Sequence, residues 1–160
     1  MNARDAIRIH LDLAEWVCRG YLEDLTDAEM LVRPCPGANH INWQVGHLVA
    51  SEYHHMGQIP GNVPLPLPEA FAARYTKATA GFDDPGQFCV KKDLLAAHAI
   101  QREAALALLE RQSDSDLDRP TPIPYAPTVG AIFSLLGSHW LQHSGQWTVT
   151  RRVLGRPPLY

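Results

Sequence analysis

The stretch VGAIFSLLGSHWLQHSGQWTVTRRVL, residues 129–154, decides the fold class. Its apolar residues recur at every third or fourth position, which is the period of an α-helix. Thr128 precedes the stretch and is a good N-cap residue. Gly155 and Pro157 follow it, and this order is typical of a helix end. The sequence therefore predicts one long helix here.

Prolines divide the rest of the chain into segments, because proline lacks a backbone donor and breaks a helix from within. Four long proline-free runs carry the same helical period, and strand-like alternation is not sustained in any of them. These runs are 1–33, 37–59, 86–119 and 128–156. A fifth run, 69–84, has room only for a short extra helix. We predict an all-α four-helix bundle, and we expect the second helix to be capped by Asn39 or Asn42.

Length and charge exclude several classes of protein. The chain has 160 residues, which suits a single domain over 1–160. Its net charge of −3 offers no basic surface for nucleic acid or an anionic membrane. No apolar run approaches the roughly 18 residues that a membrane span needs. We expect a partner that is a small molecule rather than a nucleic acid or a membrane.

The N-terminal segment and the cysteines indicate a cytoplasmic protein. Asp5, Asp12 and Glu15 lie where a signal peptide would need its apolar stretch. The three cysteines are widely spaced and odd in number, which suits neither a disulfide framework nor a zinc knuckle. Of these, Cys18 lies on the apolar face of the first helix, so we interpret it as an inert buried thiol. Reduced thiols are usual in the cytoplasm.

Histidines supply the candidate metal ligands. His139 and His143 are four residues apart, so they project from one face of the fourth helix and can bind one ion. The alternative is that such a pair is coincidental. However, the same face carries apolar residues, and two unpartnered imidazoles among apolar side chains are costly. A third ligand must come from another helix. The second helix offers three candidates: His47, His54 and His55. We prefer His47 because it lies deeper in the helix.

Two segments also resemble a known family. His139-Trp-Leu-Gln-His143-Ser-Gly-Gln146 with the following paired arginines, and Asn42-Trp-Gln-Val-Gly-His47-Leu, are similar to the two motifs of the DinB/YfiT-like superfamily. The resemblance covers essentially the whole chain. It implies a bundle in up-down-down-up order with a long connection between helices two and three. It also implies a divalent metal held by His47, His139 and His143.

Three neutral imidazoles would leave one coordination position of the metal open, as catalytic sites require. Nitrogen ligands suit Zn, Ni or Fe, and the ligand set does not choose among them. The resemblance implies an enzyme that uses a low-molecular-weight thiol, or a metal-dependent hydrolase. We favour thiol transfer to a small electrophile. Two alternatives remain: a metal-binding protein without catalysis, and a helical partner-binding module whose histidines are incidental.

Further residues are candidates for supporting roles at the site. Gln146 lies one helical turn beyond the histidine pair and can contact a ring or a substrate, although close helix packing explains it equally well. Glu52 or Ser51 can accept a hydrogen bond from the second ring N–H of His47, since metal-bound histidines usually donate that N–H to a nearby polar group. Glu52 and His54 are also candidates for a general base, and a solvated helix face is the alternative explanation for both. Aromatic residues and the low charged fraction suggest a homodimer, and the resemblance implies the same.

Overall fold

The computed structural model describes residues 1–157 and residue 159. Within this part of the chain the regular structure is helical, so the all-α prediction is confirmed. Four long helices correspond to the four predicted ones, and two short helices follow the first and third of them. In chain order the helices are α1 (Ala3–Glu23), α2 (Asp27–Met30), α3 (Ile41–Met56), α4 (Lys91–Glu110), α5 (Asp114–Leu117) and α6 (Val129–Val153).

Side-chain caps explain where most of these helices begin. Thr128 caps α6 as predicted, its side chain accepting a hydrogen bond from the backbone N–H of Ala131. The predicted cap of α3 was wrong. The cap is His40, whose Nδ1 accepts the backbone N–H of Trp43 at 3.0 Å. Asn42 is not available for this role, because it lies inside the helix and donates to the carbonyl of Cys89.

The packing of the long helices is uneven. α1 packs mainly against α6, and α3 packs against both α4 and α6, whereas α1 and α4 make few contacts. Buried apolar side chains from these helices form two core clusters. A groove therefore remains between α1 and α4. None of the helices in the described residues is both long and apolar enough to cross a membrane.

The long connection between α3 and α4 is part of the core. It contains three short 3₁₀ turns, at Ala72–Tyr75, Lys77–Thr79 and Pro85–Gln87. Tyr75 is 3% exposed, and its ring lies against the backbone of Gly46 on α3. A Cβ atom at position 46 would lie 2.3 Å from that ring, so this close approach requires glycine. The connection thus packs directly beside the helix turn that carries His47.

Candidate metal centre

Three histidines from two helices meet in one place. His47 on α3 and the pair His139 and His143 on α6 each offer one nitrogen, and these nitrogens lie within 4.8 Å of one another. The ring centroids are 5.0–5.8 Å apart. We call these three residues the histidine cluster. The predicted trio is therefore brought together, and the cluster could hold a metal ion.

The dimensions of the histidine cluster suit an ion after small ring rotations. A tetrahedral ion with Zn–N distances of about 2.0–2.1 Å places its ligand nitrogens roughly 3.3 Å apart. The nitrogens of the cluster lie within 4.8 Å of each other, so the distances between them need to decrease only slightly. Since χ2 of histidine is a soft torsion, ring rotation can shorten these distances.

The protonation states also suit metal binding, because a metal ligand must be a neutral imidazole. Burial, together with smaller contributions from the neighbouring His143 and His47, lowers the pKa of His139 to about 4. Burial likewise lowers the pKa of His143 to about 4. His47 shifts in the same direction, again through burial. All three rings are therefore neutral at pH 7, and each keeps a lone pair.

Gln44 determines which nitrogen of His143 carries the proton. The side-chain N–H₂ of Gln44 donates to the carbonyl of Asn39 at 2.7 Å, and its Oε1 accepts from Trp147 Nε1 at 3.0 Å. The same Oε1 lies 2.9 Å from Nδ1 of His143. Because Oε1 can only accept, Nδ1 must donate, and the lone pair of His143 is on Nε2. Partners of this kind orient metal-binding histidines.

The other two rings are held by different contacts. The ring of His47 stacks on Trp43 at a centroid distance of 5.0 Å and an interplanar angle of 4°. Nδ1 of His139 lies 3.5 Å from the hydroxyl of Ser51, which also lies 3.2 Å from Nδ1 of His55. Ser51 was predicted as a partner of His47, and its observed partners are these two other histidines.

The remaining predicted site residues lie elsewhere. Glu52 is 2% exposed, so it does not lie on a solvated helix face; its carboxylate binds Arg102 on α4 and accepts from Trp140 Nε1. His54 is solvent-exposed, with its ring 5.5 Å from that of His55. Gln146 is also exposed. The hydrogen bonds to the histidine cluster come instead from Gln44 and Ser51.

Two further histidines have polar partners outside the histidine cluster, and Cys18 has the structural role predicted for it. His98 is buried and bonded to Glu15, and His10 lies 3.2 Å from the hydroxyl of Ser138. Cys18 is buried, and burial raises the pKa of its thiol to about 12, which makes it a poor nucleophile.

Gln44 is the site residue that sequence reasoning missed. It precedes His47 by one helical turn, so it lies on the same face of α3. This spacing was a usable signal. The sequence does not show, however, that the packing of α6 places His143 and Trp147 opposite this amide.

Comparison with known proteins agrees with this geometry. No curated protein sequence matches the chain significantly. A family model, described as the DinB superfamily, matches residues 10–147, a range that contains the whole histidine cluster. The chain belongs to the DinB superfamily.

Proposed function

We propose that the protein is a metal-dependent enzyme in which His47, His139 and His143 hold one divalent ion. The supporting observation is the convergence of three neutral imidazole nitrogens within 4.8 Å. Gln44 adds to this, because its Oε1 accepts a hydrogen bond from Nδ1 of His143 and so leaves the lone pair of that ring on Nε2. With three protein ligands the ion keeps a free position, as in catalytic zinc sites.

We further propose that this site activates a low-molecular-weight thiol for transfer to a small electrophile. An ion held by neutral ligands keeps its full charge and can stabilise a thiolate or lower the pKa of water. The chain's own residues support an external nucleophile: Cys18 is buried with a raised pKa, and Glu52 is committed to Arg102. In the transfer, the thiol proton goes to solvent, a C–S bond forms, and a leaving group such as chloride departs with its electron pair.

Metal content tests the ligand assignment. The variant His143→Ala is expected to lose stoichiometric zinc, nickel or iron while keeping its helical circular dichroism. His54→Ala is the matched control, because His54 is exposed and outside the cluster. Unchanged metal content in His143→Ala would contradict the assignment, and so would loss of metal in His54→Ala alone.

Activity tests the reaction class. Metal-loaded protein is given a chloro-nitroarene with glutathione, bacillithiol or mycothiol, and then with buffer alone. We expect turnover that requires a thiol and is lost in His139→Ala. Ester or amide cleavage without a thiol would instead support a hydrolase. Inactivity towards both substrate types would favour a metal-binding protein without catalysis.

We also propose that residues 1–160 form one domain, a four-helix bundle in up-down-down-up order. The packing of α1 on α6, and of α3 on α4 and α6, supports this arrangement. The length of the connection between α3 and α4 supports it as well, because such a connection can run the length of a bundle. A single cooperative unfolding transition seen by both circular dichroism and tryptophan fluorescence is the expected result.

A homodimer and a cytoplasmic location complete the proposal. Ile9, Leu13 and Trp16 form an exposed apolar stripe along α1 at helical spacing, and each is at least half exposed. Such a stripe suits a second copy of the chain. The three free cysteines suit a reducing compartment. Light scattering should give a dimer mass that falls to the monomer mass in Leu13→Glu.

A further inference from the structure

A series of polar contacts runs from the histidine cluster to the protein surface. Nδ1 of His139 lies 3.5 Å from the hydroxyl oxygen of Ser51, which is the longest contact of the series. The same oxygen lies 3.2 Å from Nδ1 of His55, and Nε2 of His55 lies 3.1 Å from the phenol oxygen of Tyr125. His55 is 6% exposed, whereas Tyr125 is 70% exposed. We call Ser51, His55 and Tyr125 the polar row.

The polar row continues the face of α3 that carries a metal ligand. Ser51 lies four residues beyond His47, and His55 lies four residues beyond Ser51, so the three share one helix face. Tyr125 comes from the proline-rich segment that precedes α6. Its ring meets that of His55 edge to face, with centroids 6.0 Å apart. Helical spacing on α3 thus extends the metal centre outward, and Tyr125 joins it to solvent.

The hydroxyl of Ser51 does not by itself determine which nitrogen of His139 carries the proton. Oε1 of Gln44 can only accept, and for that reason it fixes the tautomer of His143. A serine hydroxyl can both donate and accept, but it has one hydrogen. Ser51 can therefore donate to one of its two neighbouring rings, and the other ring has to donate to Ser51. The choice depends on His55.

Hydrogen bonding along the polar row can run in two directions. Burial lowers the pKa of His55, so this ring is neutral at pH 7 and carries one N–H. If the hydrogen is on Nε2, it is donated to Tyr125, and Nδ1 of His55 accepts from Ser51. Ser51 then accepts from Nδ1 of His139, whose lone pair is left on Nε2 for an ion. If the hydrogen of His55 is on Nδ1 instead, every bond reverses, and Nε2 of His139 carries a hydrogen.

We propose that the polar row positions His139 for metal binding, and that His55 acts on the metal centre through Ser51 without contacting the ion. This inference rests on the metal ligands proposed above. In the direction that allows metal binding, His55 carries its hydrogen on Nε2 and His139 carries its hydrogen on Nδ1. Tyr125 supports this direction, because its oxygen can accept the hydrogen of the buried His55 ring and donate its own to water.

Nitrogen-15 NMR of the histidine rings in the zinc-loaded, full-length protein tests the direction of the bonds. The two neutral tautomers of histidine give different nitrogen chemical shifts, so the position of each hydrogen can be measured. We expect His55 with its hydrogen on Nε2 and His139 with its hydrogen on Nδ1. A residue that only packs beside the site would not require this tautomer. A hydrogen on Nδ1 of His55 would overturn the proposal.

Zinc affinity, measured by competition with a chelator, tests the coupling between His55 and the ion. His55→Phe keeps an aromatic ring but cannot accept from Ser51, and it should weaken zinc binding about tenfold. His55→Asn places an amide oxygen near the position of Nδ1, so it should recover most of this loss. His54→Phe is the matched control, because it makes the same change at an exposed neighbouring histidine. An unchanged zinc affinity in His55→Phe would overturn the proposal, and so would equal losses in His55→Phe and His55→Asn.

Failure of this inference can be distinguished from failure of the metal site itself. If His143→Ala loses zinc while His55→Phe binds it as tightly as the parent chain, the ligand assignment stands and the role of the polar row is wrong. If the parent chain does not bind zinc, both proposals are overturned. Ser51→Ala is a second variant in case His55→Phe folds poorly, because it removes the hydroxyl between the two rings at a half-buried position. Unchanged zinc affinity in Ser51→Ala would also overturn the proposal.

Discussion

Replacing Arg102 with methionine is expected to destabilise the protein strongly. Arg102 donates twice to the carboxylate of Glu52, at 3.1 and 3.0 Å, and the two side chains are 6% and 1% exposed. The substitution Arg102→Met keeps most of the side-chain volume but leaves the Glu52 carboxylate buried with Trp140 Nε1 as its remaining donor. Breaking a buried ion pair by removing one partner costs about 3–5 kcal/mol. We expect a loss of this size in the free energy of unfolding.

Urea denaturation of the metal-free protein, followed by circular dichroism, measures the effect. Glu103→Gln, on the exposed face of α4, should change the free energy of unfolding by less than about 0.5 kcal/mol. The double variant Arg102→Met, Glu52→Gln should recover most of the loss. It removes the unpaired charge, and glutamine still accepts from Trp140. A cost below about 1 kcal/mol for Arg102→Met, or no recovery in the double variant, would refute this account.

Three further outcomes are expected. Gly46→Ala should lower the free energy of unfolding by about 1–3 kcal/mol because the new Cβ meets the ring of Tyr75, and a urea midpoint equal to that of the parent chain would contradict this. Gln44→Met should weaken metal binding about 10–100-fold in a competition titration with a chelator, whereas the exposed Gln146→Met should not. The metal-free protein should lose stability as the pH falls from about 6.5 to about 4. The pKa of His139 is lowered to about 4 on folding, so the unfolded chain binds more protons in that window. Urea midpoints measured across the window should fall less in His139→Ala, and equal slopes would contradict the assignment.

The helices could be predicted from the sequence because their signals are local. Proline positions and the apolar period gave the four long helices, and Thr128 capped the last one as expected. The cap of α3 was mispredicted because asparagine is usually the better cap, while Asn42 is engaged by Cys89 on the distant connection. That connection was expected to have room only for a short extra helix, and its contribution to the core depends on long-range contacts such as that of Tyr75 with Gly46.

The candidate ligands could also be predicted, because two of them share one helix face and a motif indicated the third. Their supporting residues could not, since these depend on which helices pack together. Glu52 was expected beside His47, yet the packing of α4 on α3 brings Arg102 to it and turns it into a structural ion pair. Gln44 was missed for the same reason, because its partners come from α6.

The amide of Gln44 also limits how the site can be redesigned. An engineer who wanted an oxygen-rich site for a harder cation would replace His143 with aspartate or glutamate. The new carboxylate would then face Oε1 of Gln44, so two acceptors would oppose each other. Turning the amide over would relieve this contact, but it would place the N–H₂ group against the N–H of Trp147 and the carbonyl oxygen against that of Asn39. A change of metal preference at position 143 therefore has to be designed together with positions 44 and 147.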